Sequence, residues 1–244
     1  MSNITFWDHL FFILIAIFLP VLSLIRGRVD MEGVEMEIKD KRKFYFANAG
    51  VLWVGALMVF LLWLMAGREF VEMGVRYPVI DAIVVALTVL FVASYIIETV
   101  TELRKENKET EILKAAPFLP QNYSEYFSFL FLAFSAGVCE EIVYRGFLVN
   151  YLLSVINDPI VAFNVAVIFP AVIFGVVHMY QGLKAVLKIS IMSLLFSTIF
   201  IFSQSLLIVM ILHFAVDAIG GFIGLQIALS AKESSPSITF DEEE

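Results

Sequence analysis

Long apolar runs alternate with short charged stretches along the 244 residues of the chain. A helix that crosses a bilayer needs about 20 mostly apolar residues. Seven segments meet this requirement, namely Phe6 to Ile25, Phe44 to Gly67, Val79 to Ile97, Tyr126 to Ile156, Pro159 to Val177, Leu183 to Phe202 and Ser205 to Ser230. The pattern therefore predicts an all-α polytopic membrane protein with about seven transmembrane helices.

The composition supports this prediction and excludes other classes of protein. Hydrophobic residues make up 60% of the chain and charged residues 16%, whereas soluble domains have roughly 45–50% and 25%. These values exclude a soluble globular domain and a disordered chain. The single cysteine, Cys139, excludes an intramolecular disulfide framework and a cysteine-based zinc site. The net charge of −8, without a broad basic surface, argues against a nucleic-acid partner.

The sequence indicates a single membrane domain over residues 1–244. Residues 1–125 hold three spans and cytoplasmic loops, residues 126–230 a helical core, and residues 231–244 a disordered acidic tail. Of the two long loops, Val29 to Lys43 alternates apolar and charged residues, which favours a short strand or an interfacial element. Glu98 to Lys114 is rich in helix-forming residues, so we expect it to extend the third helix.

Lysine and arginine are distributed unequally between the two sides of the predicted membrane domain. Thirteen lie in the odd-numbered loops and the C-terminal segment, and only Arg68 and Arg76 lie on the other side. Because positive charge is enriched in cytoplasmic loops, we expect a multi-pass cell-membrane protein with its N-terminus outside and its C-terminus in the cytoplasm. The first segment has no basic region before it and carries Asp8, so it is expected to be a retained anchor.

Few ionisable side chains lie within the apolar segments, where each costs roughly 2.5 to 3.5 kcal/mol on insertion scales. They are Asp81, Glu140, Glu141, Arg145, His213 and Asp217, with His178 at the cytoplasmic end of the fifth segment and with Asp8 and His9 at the outer edge of the first. The fourth, fifth and seventh predicted spans contribute all of these except Asp8, His9 and Asp81. A cost of this size indicates that the residues have a function.

The spacing of these residues indicates which of them contact one another. Glu141 and Arg145 are four residues apart with the acid first, the favourable order for an ion pair on a helix. Glu140 is rotated by about 100° from Glu141 and lacks this partner. His213 and Asp217 also lie four residues apart and share a helix face. A structural charge cluster is the simpler alternative, but small residues can pack helices at a lower cost.

Two histidines and two unpaired carboxylates over three spans form a set that can bind a metal ion or carry out acid–base chemistry. The segment Glu140-Glu141-Ile-Val-Tyr-Arg145 fits EExxxR, Phe174-Gly-Val-Val-His178 fits FxxxH, and His213-Phe-Ala-Val-Asp217 fits HxxxN/D. In this order the three motifs resemble the CPBP family, also called Abi or CAAX-protease-like intramembrane metalloproteases. The resemblance covers roughly Tyr126 to Ser230.

The resemblance implies an endopeptidase whose site lies inside the helix bundle and opens to the cytoplasm. Glu140 would activate the attacking water, while Arg145 would hold Glu141 in place. His178 and His213 would bind a metal or stabilise the oxyanion. Because an ionised aspartate cannot donate a hydrogen bond, Asp217 would instead bind metal or fix the tautomer of a histidine.

The cofactor implied by the resemblance is a divalent metal, with zinc as the first candidate. Its ligands would come from Glu140, His178, His213 and Asp217. The expected substrate is a membrane-associated or lipidated peptide or protein, whose apolar part lies between helices. The position of His178 at the inner end of the fifth segment, against His213 near the outer end of the seventh, predicts tilted helices, a bend at Pro170 and a water-filled cavity.

Three other functions compete with the protease. A catalytically inactive scaffold or partner-binding protein of the same fold would not need an intact set of Glu140, His178 and His213. A haem protein with two histidine ligands leaves Glu140, Glu141 and Arg145 without a role. An ion or proton transporter lacks support because the sequence shows no inverted repeat and no pair of broken helices. Gly220 and Gly224 form a GxxxG motif, which predicts close helix packing.

Overall fold

The computed structural model describes residues 1–26, 38–104 and 117–234. Within these ranges the chain is helical with no strand, and seven helices are long and apolar enough to cross a membrane. The predicted all-α polytopic membrane fold is confirmed.

The seven spanning helices are named α1 to α7 in chain order. Two are composite: α1 consists of Phe6–Ile13, the π-helical Leu14–Phe18 and Leu19–Arg26, and α4 consists of Tyr123–Glu141, the π-helical Ile142–Val149 and Asn150–Val155. The others are α2 (Ile38–Met65), α3 (Ala82–Leu103), α5 (Pro159–Val177), α6 (Leu183–Ser203) and α7 (Leu206–Ser234). A short helix, Phe70–Met73, follows α2, and a 3₁₀ turn, Met179–Gln181, joins α5 to α6.

Polar side chains define where three of these helices begin. Asp81 accepts a hydrogen bond from the Val84 backbone N–H at 2.9 Å and caps α3. Asn122 caps α4 in the same way, and Asp158 caps α5. Such caps satisfy backbone donors that the first helical turn leaves free. Asp81 is thus a helix cap, separate from the other ionisable residues in the apolar segments.

Close packing of α4 against α7 brings their charged residues together. A Cβ atom added at Gly137 would lie 2.9 Å from the Phe214 backbone nitrogen and 3.1 Å from the Met210 backbone oxygen. Only a glycine allows two helix backbones to approach this closely. The contact lies one turn before Glu140 and Glu141 and directly beside His213.

The predicted glycine packing motif on α7 is wrong in one position. Gly224 packs against Leu119, and Gly221 packs against Phe129. Gly220 has no neighbouring atom within 4 Å of its Cβ position and lines a cavity instead. The GxxxG spacing therefore identified the region of close packing, but Gly221 takes the place assigned to Gly220.

Two buried ion pairs fix the N-terminal spans in place. Arg68 donates a hydrogen bond from Nη1 to Asp8 Oδ1 at 2.9 Å, and both side chains are fully buried. At the other end of the bundle, Lys41 Nζ lies 3.6 Å from Glu125 Oε2. The first pair fixes α1 to the turn after α2, and the second fixes α2 to α4.

The loop predictions are only partly covered by the described residues. Helix α2 begins at Ile38, so residues 38–43 are helical and the strand prediction is wrong for them. The rest of that loop, residues 29–37, lies outside the described ranges. Helix α3 continues to Leu103, as the predicted extension requires, while residues 105–116 lie outside. Helix α7 ends at Ser234, and the tail from residue 235 also lies outside.

Candidate active site

The first motif lies where α4 changes from regular α-helix to π-helix. Glu140 and Glu141 end the regular segment, and Arg145 lies inside the π-helical Ile142–Val149. Short π-helical segments within α-helices occur frequently at functional sites because they redirect side chains. In this position the segment directs Arg145 into the centre of the bundle, where its side chain is fully buried.

Arg145 forms the predicted ion pair with Glu141. Its Nη1 donates a hydrogen bond to Glu141 Oε1 at 2.8 Å, and neither side chain is exposed. Its Nη2 donates to the Ser193 hydroxyl at 2.6 Å and to the Ser193 backbone oxygen at 3.0 Å. The guanidinium also lies 5.3 Å from the ring centres of Phe174 and Phe196. These contacts fix Arg145 between α4, α5 and α6.

Glu141 also fixes the orientation of His213. The Nδ1 atom of His213 lies 2.7 Å from Glu141 Oε1, the same oxygen that accepts the hydrogen bond from Arg145. Because an ionised carboxylate can only accept hydrogen bonds, Nδ1 carries the proton and donates it. The sequence predicts Asp217 as a metal ligand or as the residue that fixes a histidine tautomer; the contact with His213 Nδ1 is made by Glu141.

The other ring nitrogen of His213 faces two further carboxylates. Its Nε2 lies 3.7 Å from Glu140 Oε2 and 3.6 Å from Asp217 Oδ2. The side chains of Glu140 and Asp217 are 16% and 33% exposed, in contrast to the fully buried Glu141. Glu140 and Asp217 are therefore accessible to a small molecule, while Glu141 and Arg145 support the site from behind.

His178 directly follows the last residue of α5. Its Nδ1 donates a hydrogen bond to the Phe174 backbone oxygen at 2.7 Å, since a carbonyl can only accept. Burial lowers the pKa of His178, and the nearby His213 lowers it further. The ring is thus neutral near pH 7, and its Nε2 is left with a lone pair.

Phe174 connects the two histidines that the sequence placed at different depths. Its ring centre lies 4.8 Å from that of His178 and 6.0 Å from that of His213. The phenylalanine of the FxxxH motif thus packs against both histidines and against Arg145. The expected difference in depth does not separate His178 and His213, because both border the same cavity.

This central cavity has a volume of about 520 Å³. Four of the six predicted site residues line it, namely Glu140, His178, His213 and Asp217. Exposed side chains from α2, the 3₁₀ turn and α6 border it, including Asn48, Tyr180 and Lys188. All three belong to the end of the bundle that the distribution of positive charge predicts to be cytoplasmic.

Ser193 is the main residue of the site that the sequence analysis missed. It is buried in α6, lines the central cavity and accepts a hydrogen bond from Arg145. Ser190, Ser193 and Ser197 follow one another at helical spacing along α6. This polar stripe on one face was a signal that could have identified α6 as a partner of the charged residues.

The donor types present suit a divalent metal, but their spacing does not. Imidazole nitrogens and carboxylate oxygens are typical zinc ligands. However, in the described part of the chain no three His, Cys, Asp or Glu side chains lie close enough to hold a metal ion as they are placed. The chemistry derived below therefore passes through no metal, and the predicted metal remains a prediction.

The fold and the site together define a class of protein: a polytopic helical membrane protein with an acid–histidine site inside the bundle. Residues 122–219, which contain all six predicted site residues, match the family model described as type II CAAX prenyl endopeptidase Rce1-like. This match supports the resemblance of the segment to the CPBP, or CAAX-protease-like, family of intramembrane endopeptidases. No curated protein and no solved structure matches the chain.

Proposed function

We propose that this protein hydrolyses a peptide bond in a membrane-associated or lipidated peptide or protein, and that Glu140 activates the attacking water. The main support is that Glu140 and His213 Nε2 border one cavity while Glu141 and Arg145 hold the ring from behind. Peptide hydrolysis requires a base that can reach water and a group that is fixed in position beside the reacting carbonyl. In this arrangement they are the partly exposed Glu140 and the oriented ring of His213.

Glu140 is the general base in this proposal. A water molecule in the central cavity can reach its carboxylate, which is 16% exposed. The carboxylate takes a proton from that water as the oxygen attacks the peptide carbonyl. It then returns the proton to the leaving amine as the carbon–nitrogen bond breaks. Proton transfer by one positioned side chain contributes about 10²- to 10⁴-fold to the rate.

His178 and His213 are proposed to bind a metal ion or to stabilise the oxyanion. The hydrogen bond to Glu141 keeps His213 Nδ1 protonated, so Nε2 is the nitrogen available to the cavity. With a proton on Nε2 the ring donates to a developing oxyanion, and without it Nε2 is a ligand for a metal.

The substrate is proposed to approach from the cytoplasmic side. The central cavity is bordered by Asn48, Tyr180 and Lys188, and Lys184 and Lys188 lie in the first two turns of α6. Together with the excess of positive charge on this side, these residues support an N-terminus outside and a C-terminus in the cytoplasm.

The proposal is tested by comparing wild-type protein with Glu140→Gln, which keeps the shape of the side chain but removes the base. Membrane peptides from cells that express each form are compared by mass spectrometry. Purified protein in liposomes is then incubated with the peptides that differ. We expect cleavage by the wild type and about a 10²- to 10⁴-fold lower rate for Glu140→Gln.

Glu69→Gln is the matched control because Glu69 is an exposed carboxylate in the turn after α2, outside the residues that line the cavity. Its peptide profile and rate should equal those of the wild type. Identical profiles for wild type and Glu140→Gln would contradict the proposal and favour the inactive scaffold of the same fold.

A further inference from the structure

A second cavity meets the central cavity at Glu140. This side cavity has a volume of about 470 Å³ and lies among α1, α2, α4 and α5. Both cavities are lined by Val51, Leu52, Glu140 and Tyr180. The Glu140 carboxylate, which we propose as the base, therefore borders both cavities. The proposed hydrolysis gives a role to the central cavity but none to the side cavity.

The walls of the side cavity that come from α1 and α2 are apolar. On α1 they consist of Ile15, Leu19 and Leu22. The polar side chain of this wall is Ser23, and its hydroxyl already donates a hydrogen bond to the Val176 backbone oxygen at 2.9 Å. This part of the cavity thus offers mainly apolar contacts, because the Ser23 hydroxyl proton is engaged in the hydrogen bond to Val176.

The part of the side cavity next to Glu140 contains its other polar groups. Tyr144 of α4 and Tyr180 of the 3₁₀ turn line it together with Glu140. An apolar chamber with a few polar groups at one end is the usual form of a site that binds and orients a ligand. Its volume also lies within the range of such sites, about 300 to 1,000 Å³.

Gly55 of α2 lines the side cavity opposite α4. A Cβ atom added there would meet Val143 Cγ2 at 3.6 Å, an ordinary van der Waals contact, and no other atom within 4 Å. A small side chain can therefore be added without a clash, and a larger one must extend into the free space. The absence of a side chain at Gly55 keeps this space open.

We propose that the side cavity is the subsite for a large apolar side chain of the substrate, and that Gly55 sets the size of the side chain it accepts. This inference rests on the proposed function. Because Glu140 must lie beside the bond that is hydrolysed, a group that enters the side cavity belongs to a residue next to that bond. The apolar walls bind it, and its insertion positions the peptide carbonyl at Glu140.

The test uses synthetic peptides built on the sequence that the wild type cleaves fastest. The residue on each side of the cleaved bond is varied in turn as Ala, Leu or Phe, and kcat/KM is measured for wild type, Gly55→Ala and Gly55→Leu. One methylene in a hydrophobic pocket changes selectivity by about 10- to 200-fold. We expect the wild type to prefer Phe to Ala at one of the two positions.

Gly55→Leu should reduce that preference by at least about 10-fold, with Gly55→Ala between the two. Gly50→Leu is the matched control, because it makes the same change on the same helix at a position without neighbouring atoms within 4 Å. Its preference should equal that of the wild type. Thermal unfolding of each variant shows whether it is folded.

Two results would overturn the inference. One is a folded, active Gly55→Leu variant whose preference for Phe over Ala is unchanged. The other is a wild type whose preference appears only after bound lipid is removed, because a lipid chain would then be the natural occupant. Failure of the proposed function is distinguishable, since in that case Glu140→Gln and the wild type cleave at the same rate.

Discussion

Glu141 Oε1 accepts hydrogen bonds from two residues that belong to different helices. Arg145 donates to it within α4, and His213 donates from α7. Loss of either donor would leave a buried charge with fewer partners, which is costly. The spacing of four residues that identified the Glu141–Arg145 pair therefore gives only part of the role of Glu141, because Glu141 also orients His213.

Asp217 is the site residue whose role separates the metal and metal-free mechanisms. Its Oδ2 lies 3.6 Å from His213 Nε2. At this distance both atoms can contact the same bound ion or molecule. If Asp217 supports a metal, Asp217→Asn keeps the shape but removes the charge. We expect both bound metal and cleavage to decrease, with metal affinity falling by about 10- to 100-fold. Metal content and rate are measured with and without a chelator.

Asp81→Asn is the control for this substitution, because it makes the same chemical change at a helix cap, where asparagine works as well as aspartate. It should leave metal content and cleavage unchanged. A chelator-insensitive enzyme in which Asp217→Asn is as active or more active would contradict the metal prediction. It would show instead that an amide donor at this position stabilises the oxyanion, an interaction of about 2.7 to 4 kcal/mol.

At the scale of elements, α6 contributes to the site through a contact between helices. The Ser193 hydroxyl accepts a 2.6 Å hydrogen bond from Arg145, which holds Glu141, which in turn orients His213. Ser193 is a positioning residue in this chain of contacts. Ser197 lies one turn further along α6 and is equally buried, and its hydroxyl has no hydrogen-bond partner among the described residues.

Ser193→Ala should lower kcat by about 10-fold and leave KM unchanged. A hydrogen bond to a charged group contributes roughly 1.5 to 3 kcal/mol. The loss stays at the lower end of this range because Arg145 keeps its hydrogen bond to the Ser193 backbone oxygen. Steady-state kinetics measure both constants. Nitrogen-15 NMR of the His213 ring should show that Nδ1 is less uniformly protonated. Ser193→Thr keeps the hydroxyl and should restore most of the rate.

Ser197→Ala removes a buried hydroxyl from the same helix and should change neither kcat nor the NMR signal of His213. If Ser193→Ala and Ser197→Ala have equal effects, Ser193 contributes only to packing, and the chain of contacts from α6 to His213 does not position the ring.

The same distinction between contacts within a helix and contacts between helices explains which predictions succeeded. Glu141 and Arg145 were paired from sequence because four residues along one helix determine the contact. The bond from His213 to Glu141 joins residues 72 positions apart, and no local rule fixes it. Gly220 was misassigned for this reason too, since its neighbour Gly221 is the residue that meets Phe129.

At the scale of the whole molecule, lysine and arginine are distributed unevenly between the two ends of the helix bundle. One end carries Arg68 and Arg76 in the turn between α2 and α3. The other carries Lys184 and Lys188 of α6, of which Lys188 lines the central cavity and is paired to Glu98 at 2.8 Å. Thirteen of the sixteen lysines and arginines are assigned to this second side from the sequence. The seven spans could be predicted from the lengths of the apolar segments, because each segment is recognised from its own residues alone.

This asymmetry predicts which end faces the cytoplasm, and cysteine labelling can measure it. The single cysteine of the chain, Cys139, is fully buried, so the wild type should not react with a membrane-impermeant maleimide in intact cells. Tyr77, which is 88% exposed in the turn between α2 and α3, should react when changed to cysteine. Lys184→Cys, at the exposed start of α6, should react only after the cells are permeabilised.

The reverse labelling pattern would place the central cavity on the outer side of the membrane. The energetic basis of the prediction is that positively charged loops are retained in the cytoplasm when they are short. A reversed orientation would leave the site geometry intact, because all contacts among Glu140, Glu141, Arg145 and His213 lie within the bundle. It would, however, require substrates presented from outside the cell and would overturn that part of the proposed function.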